Sequence, residues 1–277
     1  MIENEVPGFE ELMLSLPHFT TPVIGITGPP GAGKSTLVDA LIGEMISREK
    51  KVAVLCVDPS SPFNLGAVLG DRIRMSNWYN HPDVFIRSLA TRGSLGGLHP
   101  HIIEITELLK AAPFDYILVE TVGVGQSEIE IVGLADITAV VLVPEAGDEI
   151  QTMKAGLMEI ADLFVVNKCD RPDADQFVRN LRSMLAPTFS RHTESVPIIK
   201  TVASSRQGIT ELLHSIDELL QRHSTKDKKS WLLAERAYHL IERNRMKDVN
   251  KQRLREAIEE LQSQHAFNLY RFVLQFH

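Results

Sequence analysis

The chain has 277 residues, 44% of them hydrophobic, and a formal net charge of −7. That is enough apolar material for one large domain with an appendage, and the acidic balance leaves no basic excess to hold nucleic acid or anionic lipid through phosphate contacts. The two cysteines, Cys56 and Cys169, sit in or beside strand-like runs, which argues against a disulfide framework, and no apolar run reaches the length of a membrane span.

In chain order, residues 1–20 read as a short N-terminal helical segment. The opening MIENEVPGFEELM is acidic where a secretory signal would be basic, so a soluble cytoplasmic protein is expected. Seven short runs follow: PVIGITG (22–28), KVAVLCVD (51–58), VFIRSLA (84–90), YILVET (116–121), ITAVVLV (137–143), LFVVNK (163–168) and PIIKTVA (197–203). They are apolar on both faces, as buried parallel strands are, and helical patterns such as STLVDALIGEMI lie between them. This alternation predicts an α/β domain over 21–222, with a doubly wound, mostly parallel sheet. HSTKDKK (223–229) reads as a linker. Beyond it, Leu233, Ala237, Leu240 and Ile241, then Leu254, Ala257, Ile258 and Leu261, fall at helical spacing. Residues 223–277 therefore form a C-terminal helical hairpin, which either packs on its own domain or serves as a dimerisation arm.

GPPGAGKST (28–36) follows the first strand and opens a helix, fitting G-x-x-x-x-G-K-[ST] in full. Gly28, Pro29, Pro30, Gly31, Ala32 and Gly33 let the backbone wrap a phosphate chain, with N–H groups and a helix N-terminus turned to the anion. Lys34 is placed for the β/γ-phosphates, the Ser35 hydroxyl for Mg²⁺, and Thr36 beside it completes the nucleotide-binding set of the loop.

Asn167, Lys168 and Asp170 in FVVNKCD fit N-K-x-D after the sixth strand. The Asp170 carboxylate can accept from guanine N1–H and N2–H₂, a donor pair that adenine lacks, so the bound nucleotide is expected to be GTP or GDP. Asn167 is expected to tie this loop to the phosphate loop, and the Lys168 stem to cover the base. Ala203, Ser204 and Ser205 follow the last strand, where a backbone N–H can meet the guanine O6.

Three acids, Asp58, Asp71 and Glu120, end or follow strands, where a parallel sheet opens its ligand crevice. Mg²⁺ keeps several waters and takes one or two direct protein ligands. Ser35 is the direct ligand in this reading. Asp58 and Glu120 hold metal-bound waters, with Glu120 alternatively serving as a base toward the attacking water, and Asp71 swings in with GTP. Gly123 and Gly125 bring N–H groups toward the γ-phosphate, and Gln126 orients the attacking water. Arg72, Arg74, Arg87 and Arg92 are candidate transition-state or inter-subunit ligands. His99 and His101, without a cysteine partner, offer little for a metal.

Together GPPGAGKST, VDPSSPFNLGAVLGDRIRM, VFIRSLATRGSLGGL, VETVGVGQSE, AGDEIQTMKAGLMEIADLFVVNKCD and VASS resemble the methylmalonyl-CoA mutase-associated GTPases, the MeaB/ArgK family within the metallocentre-assembly GTPases. The resemblance implies a homodimeric, Mg²⁺-dependent GTPase that chaperones an adenosylcobalamin-dependent acyl-CoA mutase. It places functional weight on Lys34, Asp58, Asp71 and Glu120 and implies switches near 58–75, 120–130 and 145–154. Two features depart from the family: the segment before the first strand is short, and Glu145 stands where glycine is usual. A kinase serving basic amino-acid transport, a nickel-type metallochaperone and a regulatory GTP-binding module are the competing readings. The sequence has no acceptor-site motif for the first and no His-rich tract for the second.

Overall fold

All seven runs form strands: β1 (Val23–Thr27), β2 (Val52–Asp58), β3 (Val84–Ala90), β4 (Tyr116–Glu120), β5 (Ile137–Leu142), β6 (Leu163–Val166) and β7 (Ile198–Lys200). The computed structural model describes residues 6–17, 19–58, 75–91, 98–121, 127–144, 160–188, 196–222, 234, 237–242, 244–264 and 267–276. Asp71, Gly123, Gly125, Gln126, Arg72, Arg74, Arg92, Glu145, Leu233, the linker and the 145–154 segment lie outside the described residues. The chain divides into two compact units, Met1–Leu232 and Leu233–His277.

In the first unit the strands make one sheet in the order β3-β2-β4-β1-β5-β6-β7, with every pairing parallel. The chain moves outward from β1 in both directions, so the order reverses beside β1, and a doubly wound sheet opens its crevice at that point. Successive β1 residues face opposite sides. Ile24 and Ile26 pack with α2 (Lys34–Ser47), together with residues of α5 (Ala174–Thr188) and α6 (Ile209–Arg222). Val23 joins the cluster formed with α3 (Ile102–Lys110) and α4 (Ser127–Leu134). Gly25 faces α4, and a Cβ there would stand 2.5 Å from the Ile131 side chain. This glycine is required by close helix-on-strand approach rather than by its dihedrals.

β1, β2, β5 and β6 are buried along their whole length. VFIRSLA departs from the expectation of a strand buried on both faces. As β3 it is one edge of the sheet, with Phe85 40% exposed and Arg87 exposed, and β7 at the other edge leaves Ile198 half-buried and Lys200 exposed. An edge strand lacks a neighbour on one side, so its residues bury only where a helix covers them.

At the amino edge of the sheet three aspartates repeat one device. Lys51 N–H donates to Asp115 Oδ2 at 2.8 Å, Val23 N–H to Asp136 Oδ2 at 2.9 Å and Thr138 N–H to Asp162 Oδ2 at 2.8 Å. In return the Asp115, Asp136 and Asp162 N–H groups donate to the C=O groups of Lys51, Val23 and Thr138. Each aspartate immediately precedes its strand and clamps the start of the adjacent one. For Asp115, burial pushes the carboxyl upward, but the Lys51 N–H and the Lys50 ammonium outweigh it, so its pKa lies below the usual value.

α1 (Phe9–Ser15) sets Phe9 edge-on to His101, with 6.2 Å between ring centroids. His99 and His101 are buried, and His99 Nδ1 accepts from the His101 N–H at 3.1 Å, bracing the start of α3. Among the described residues no group of three or more His, Cys, Asp or Glu could hold a metal.

In the second unit residues 237–242 are helical, followed by α7 (Lys251–Ser263) and α8 (Leu269–Val273). Asn250 caps α7 by accepting from the N–H groups of Gln252 and Arg253. Leu254, Ala257, Ile258 and Leu261 form its half-buried stripe, as their spacing predicts, and no α7 residue is fully buried. α8 was not expected from the sequence; it is five residues long, capped by Asn268, and buries Phe272. No described helix is long and apolar enough to cross a membrane.

Candidate functional site

The carboxyl edge of β1 turns sharply at Gly28 into the loop that leads to α2. Gly28, Gly31 and Gly33 all have positive φ (138°, 78° and 86°). At Gly28 a Cβ would lie 2.2 Å from Val141 O, and at Gly33 2.5 Å from Asn167 Nδ2, so both space and dihedral demand glycine there. The first backbone bond of α2 runs from Leu37 N–H to Gly33 C=O at 2.9 Å. The N–H groups of the turn before it therefore point along the helix axis into the loop, where the dipole favours an anion.

Lys34 is buried, and its ammonium donates to Gly28 O at 2.9 Å and Pro29 O at 3.1 Å. It thus lies folded across the mouth of the loop, and phosphate oxygens would give it stronger, charge-assisted partners than two carbonyls. Pro30 and Thr36 are exposed beside it, and Ala32 is buried.

Ser35 Oγ donates to Glu120 Oε1 at 2.6 Å, and both residues are buried. Glu120 ends β4 in register with Ile26 and Cys56, and Asp58 lies two residues beyond Cys56 on β2. Paired residues of parallel strands share a face, so Glu120 and Asp58, both buried, stand on the face that α2 covers. A hydroxyl and two buried carboxylates at the head of a phosphate-binding helix make a hard-oxygen donor set. It fits Mg²⁺, which completes its shell with water and substrate phosphates. Beneath them Thr121 Oγ1 donates to Thr27 Oγ1 at 2.9 Å, fastening β4 to β1.

Asn167 is the hub. It is 2% exposed; its Nδ2 donates to Ala32 O at 3.0 Å, and its Oδ1 accepts from Thr201 Oγ1 at 3.2 Å and Ala203 N–H at 3.1 Å. One side chain therefore joins the phosphate loop, the end of β7 and the turn after it. Lys168, at φ 57°, donates from Nζ to Gly31 O at 2.8 Å and adds a second tie to the phosphate loop. Asp170 is exposed at the following turn. Between them, burial raises the Cys169 pKa, which keeps its thiol protonated.

Ala203–Ser205 form one 3-10 turn. The Ala203 N–H is engaged by Asn167 and the Ser205 N–H donates to Val202 O at 3.1 Å. The Ser204 N–H has no partner among the described residues and is the one left to meet a ligand acceptor. Sequence reasoning missed one neighbour of this turn, Arg206, whose guanidinium lies against Gly43 of α2. The signal was a glycine inside a helical pattern, which marks a close approach.

A phosphate loop after β1, buried acids at the ends of β2 and β4, and an N-K-x-D loop tied to the phosphate loop define a P-loop GTPase. Solved structures share the fold. One titled LAO/AO transport system kinase aligns at a TM-score of 0.60 and 24% identity, over 96% of this chain and 83% of its own. HypB from Helicobacter pylori, in complex with nickel, aligns at a TM-score of 0.56 and 17% identity, over 79% and 96% respectively. Residues 4–260 match the family described as methylmalonyl Co-A mutase-associated GTPase MeaB, and the chain belongs to that family. A Pyrococcus abyssi protein provisionally named a GTPase is 47% identical over 223 residues, covering 79% of this chain and 69% of that protein. GTPase ArgK of Escherichia coli is 40% identical, over 70% of this chain and 60% of its own. The fused isobutyryl-CoA mutase of Geobacillus kaustophilus is 34% identical over 253 residues, which are 88% of this chain and 23% of that protein.

Proposed function

We propose that this GTPase acts in the cytoplasm, as a homodimer, as the chaperone of an adenosylcobalamin-dependent acyl-CoA mutase, and that its GTP cycle gates cofactor loading and protects the mutase. The observation that carries this reading is the fused relative. Nearly the whole of this chain aligns within a protein named an acyl-CoA mutase, so that single polypeptide joins a GTPase of this type to a mutase.

The chemistry is transfer of the γ-phosphoryl group of GTP to water, with the bond to the β-phosphate oxygen breaking as the bond to water forms. Lys34 turns from the Gly28 and Pro29 carbonyls to the β/γ-oxygens, and the phosphate-loop N–H groups hold the chain in line. Ser35 would hold Mg²⁺ directly, with Asp58 and Glu120 holding its waters, and the ion would supply neutralisation of the developing phosphate charge. The hydrogen bond already joining Ser35 to Glu120 favours a metal-shell role for Glu120 over a role as base. Asp71 and Gln126, which approach with GTP and orient water in this reading, remain proposals from sequence. So does the pairing of Asp170 with the guanine N1–H and N2–H₂ edge, with Ser204 N–H on O6.

The test is GTP turnover and cobalamin loading, measured with and without an adenosylcobalamin mutase from the same source. Acceleration of turnover by the mutase, together with nucleotide-dependent cofactor transfer, is expected. Turnover and loading that ignore the mutase would overturn the proposal.

A further inference from the structure

Gly43 lies in the third turn of α2, well past the phosphate loop, yet it is buried. What covers it is Arg206. A Cβ built on Gly43 would meet Arg206 Cζ at 3.2 Å, Nη2 at 3.3 Å and Nη1 at 3.4 Å, so the guanidinium lies flat against the helix backbone. Among the described residues this guanidinium makes no hydrogen bond or ion pair. Arg206 is exposed on its outer side, and its guanidinium rests on a bare stretch of helix that glycine leaves open.

Arg206 also closes the turn that carries Ser204. Its φ is 59°, a left-handed conformation that non-glycine residues rarely adopt, and its N–H donates to Ala203 O at 3.2 Å. Val202 and Gln207 exchange both backbone bonds across the base of the turn. Gly208 follows at φ 74°, where a Cβ would lie 2.1 Å from Lys200 O. The turn is therefore a stiff closed unit, fastened on one side by Asn167 to Ala203 N–H and on the other by Arg206 to α2.

We infer that Arg206 is a positioning residue for base recognition: stacked on Gly43, it holds the Ala203–Ser205 turn at a fixed distance from the phosphate-binding helix, so that the Ser204 N–H meets the purine O6 while the phosphates sit at the head of α2. The inference rests on the reading of Ser204 above. It differs from that reading because Arg206 is assigned a contact with α2 rather than with the base; it sets the distance between two subsites.

The experiment measures the affinity of the full chain for GDP and for 6-thio-GDP, whose sulfur is a poor acceptor, in wild type and in Arg206→Ala. Wild type is expected to favour GDP over 6-thio-GDP. Arg206→Ala is expected to lose roughly three- to tenfold for GDP, the worth of one hydrogen bond, and to bind 6-thio-GDP about as wild type does. Arg206→Lys, which keeps the charge but not the flat guanidinium, is expected to behave like Arg206→Ala. Equal losses for both nucleotides, or none, would overturn the role of Arg206. A wild type that does not discriminate the two nucleotides would instead overturn the Ser204 contact itself. Thermal unfolding of the nucleotide-free variants excludes a general loss of fold.

Discussion

Asn167→Ala is the perturbation that most directly probes the hub. Truncation removes three hydrogen bonds at once, those to Ala32 O, Thr201 Oγ1 and Ala203 N–H, from a side chain that is 2% exposed. Ala32, Thr201 and Ala203 are themselves buried, at 0%, 1% and 5% exposure, so water reaches their freed groups poorly. Each buried group left without its partner costs about 1 kcal/mol or more, which places the nucleotide-free variant about 3 kcal/mol below wild type. For a chain of this size that is a fall in Tm of about 6–12 °C. Urea unfolding followed by circular dichroism at equal slope gives the stability change directly. Asn167→Asp keeps the two accepted bonds but sets a carboxylate oxygen against Ala32 O in place of the donor, so its loss relative to wild type reports that contact together with the cost of a buried charge. A loss below about 1 kcal/mol for Asn167→Ala would show that the hub is not buried and paired as described, and would refute the reasoning.

Four further outcomes are expected. Asp170→Asn lowers GTP affinity and raises tolerance for xanthine nucleotides in competition binding, because the amide can donate to the xanthine C2 oxygen where the carboxylate could not. Glu120→Gln raises the Mg²⁺ concentration needed for nucleotide binding, read by titrating Mg²⁺ against GDP release; intact metal dependence with lost turnover would point to a role as base instead. Gly43→Ala stabilises α2 by about 0.5–1 kcal/mol in thermal unfolding, because the crowded group is the movable end of Arg206, while GDP affinity falls as that guanidinium shifts. Asp115→Asn flattens the acid limb of the stability curve. The folded carboxyl is depressed, so its contribution is complete above the ordinary value of 3.8 and is lost as pH falls through the lower folded value. Acid unfolding of Asp115→Asn that parallels wild type through that window would contradict this.

Most of the sheet was legible because parallel strands covered on both faces read as unbroken apolar runs. The edge strands β3 and β7 were the exceptions, since Phe85 and Ile198 look like core residues until the strand order puts them at the edges. The phosphate loop and N-K-x-D were legible because each is a local pattern with a fixed chemical duty. The tie from Asn167 to the phosphate loop was also legible, but its bonds to Thr201 and Ala203 depend on a turn 34 and 36 residues away. The aspartate clamps were missed although Asp115, Asp136 and Asp162 each stand directly before a strand, a pattern with no meaning until the neighbouring strand is known. Gly25 and Gly43 carried their signal openly, as glycines inside a strand and a helix, but not the identity of Ile131 or Arg206 as the group that approaches.

Those clamps also determine how the sheet can respond to a ligand. Slipping β1, β2 or β5 by one residue against its neighbour would break both bonds of an aspartate pair, so the amino edge behaves as a row of pinned hinges. For the pairs β2–β4, β1–β5 and β5–β6 a displacement arriving from the ligand end is then resisted at the amino edge and favours a tilt of the strands over a slip. Nucleotide binding should accordingly leave amide exchange at Val23, Lys51 and Thr138 unchanged, with the pivot at one edge of the sheet and the leverage at the other.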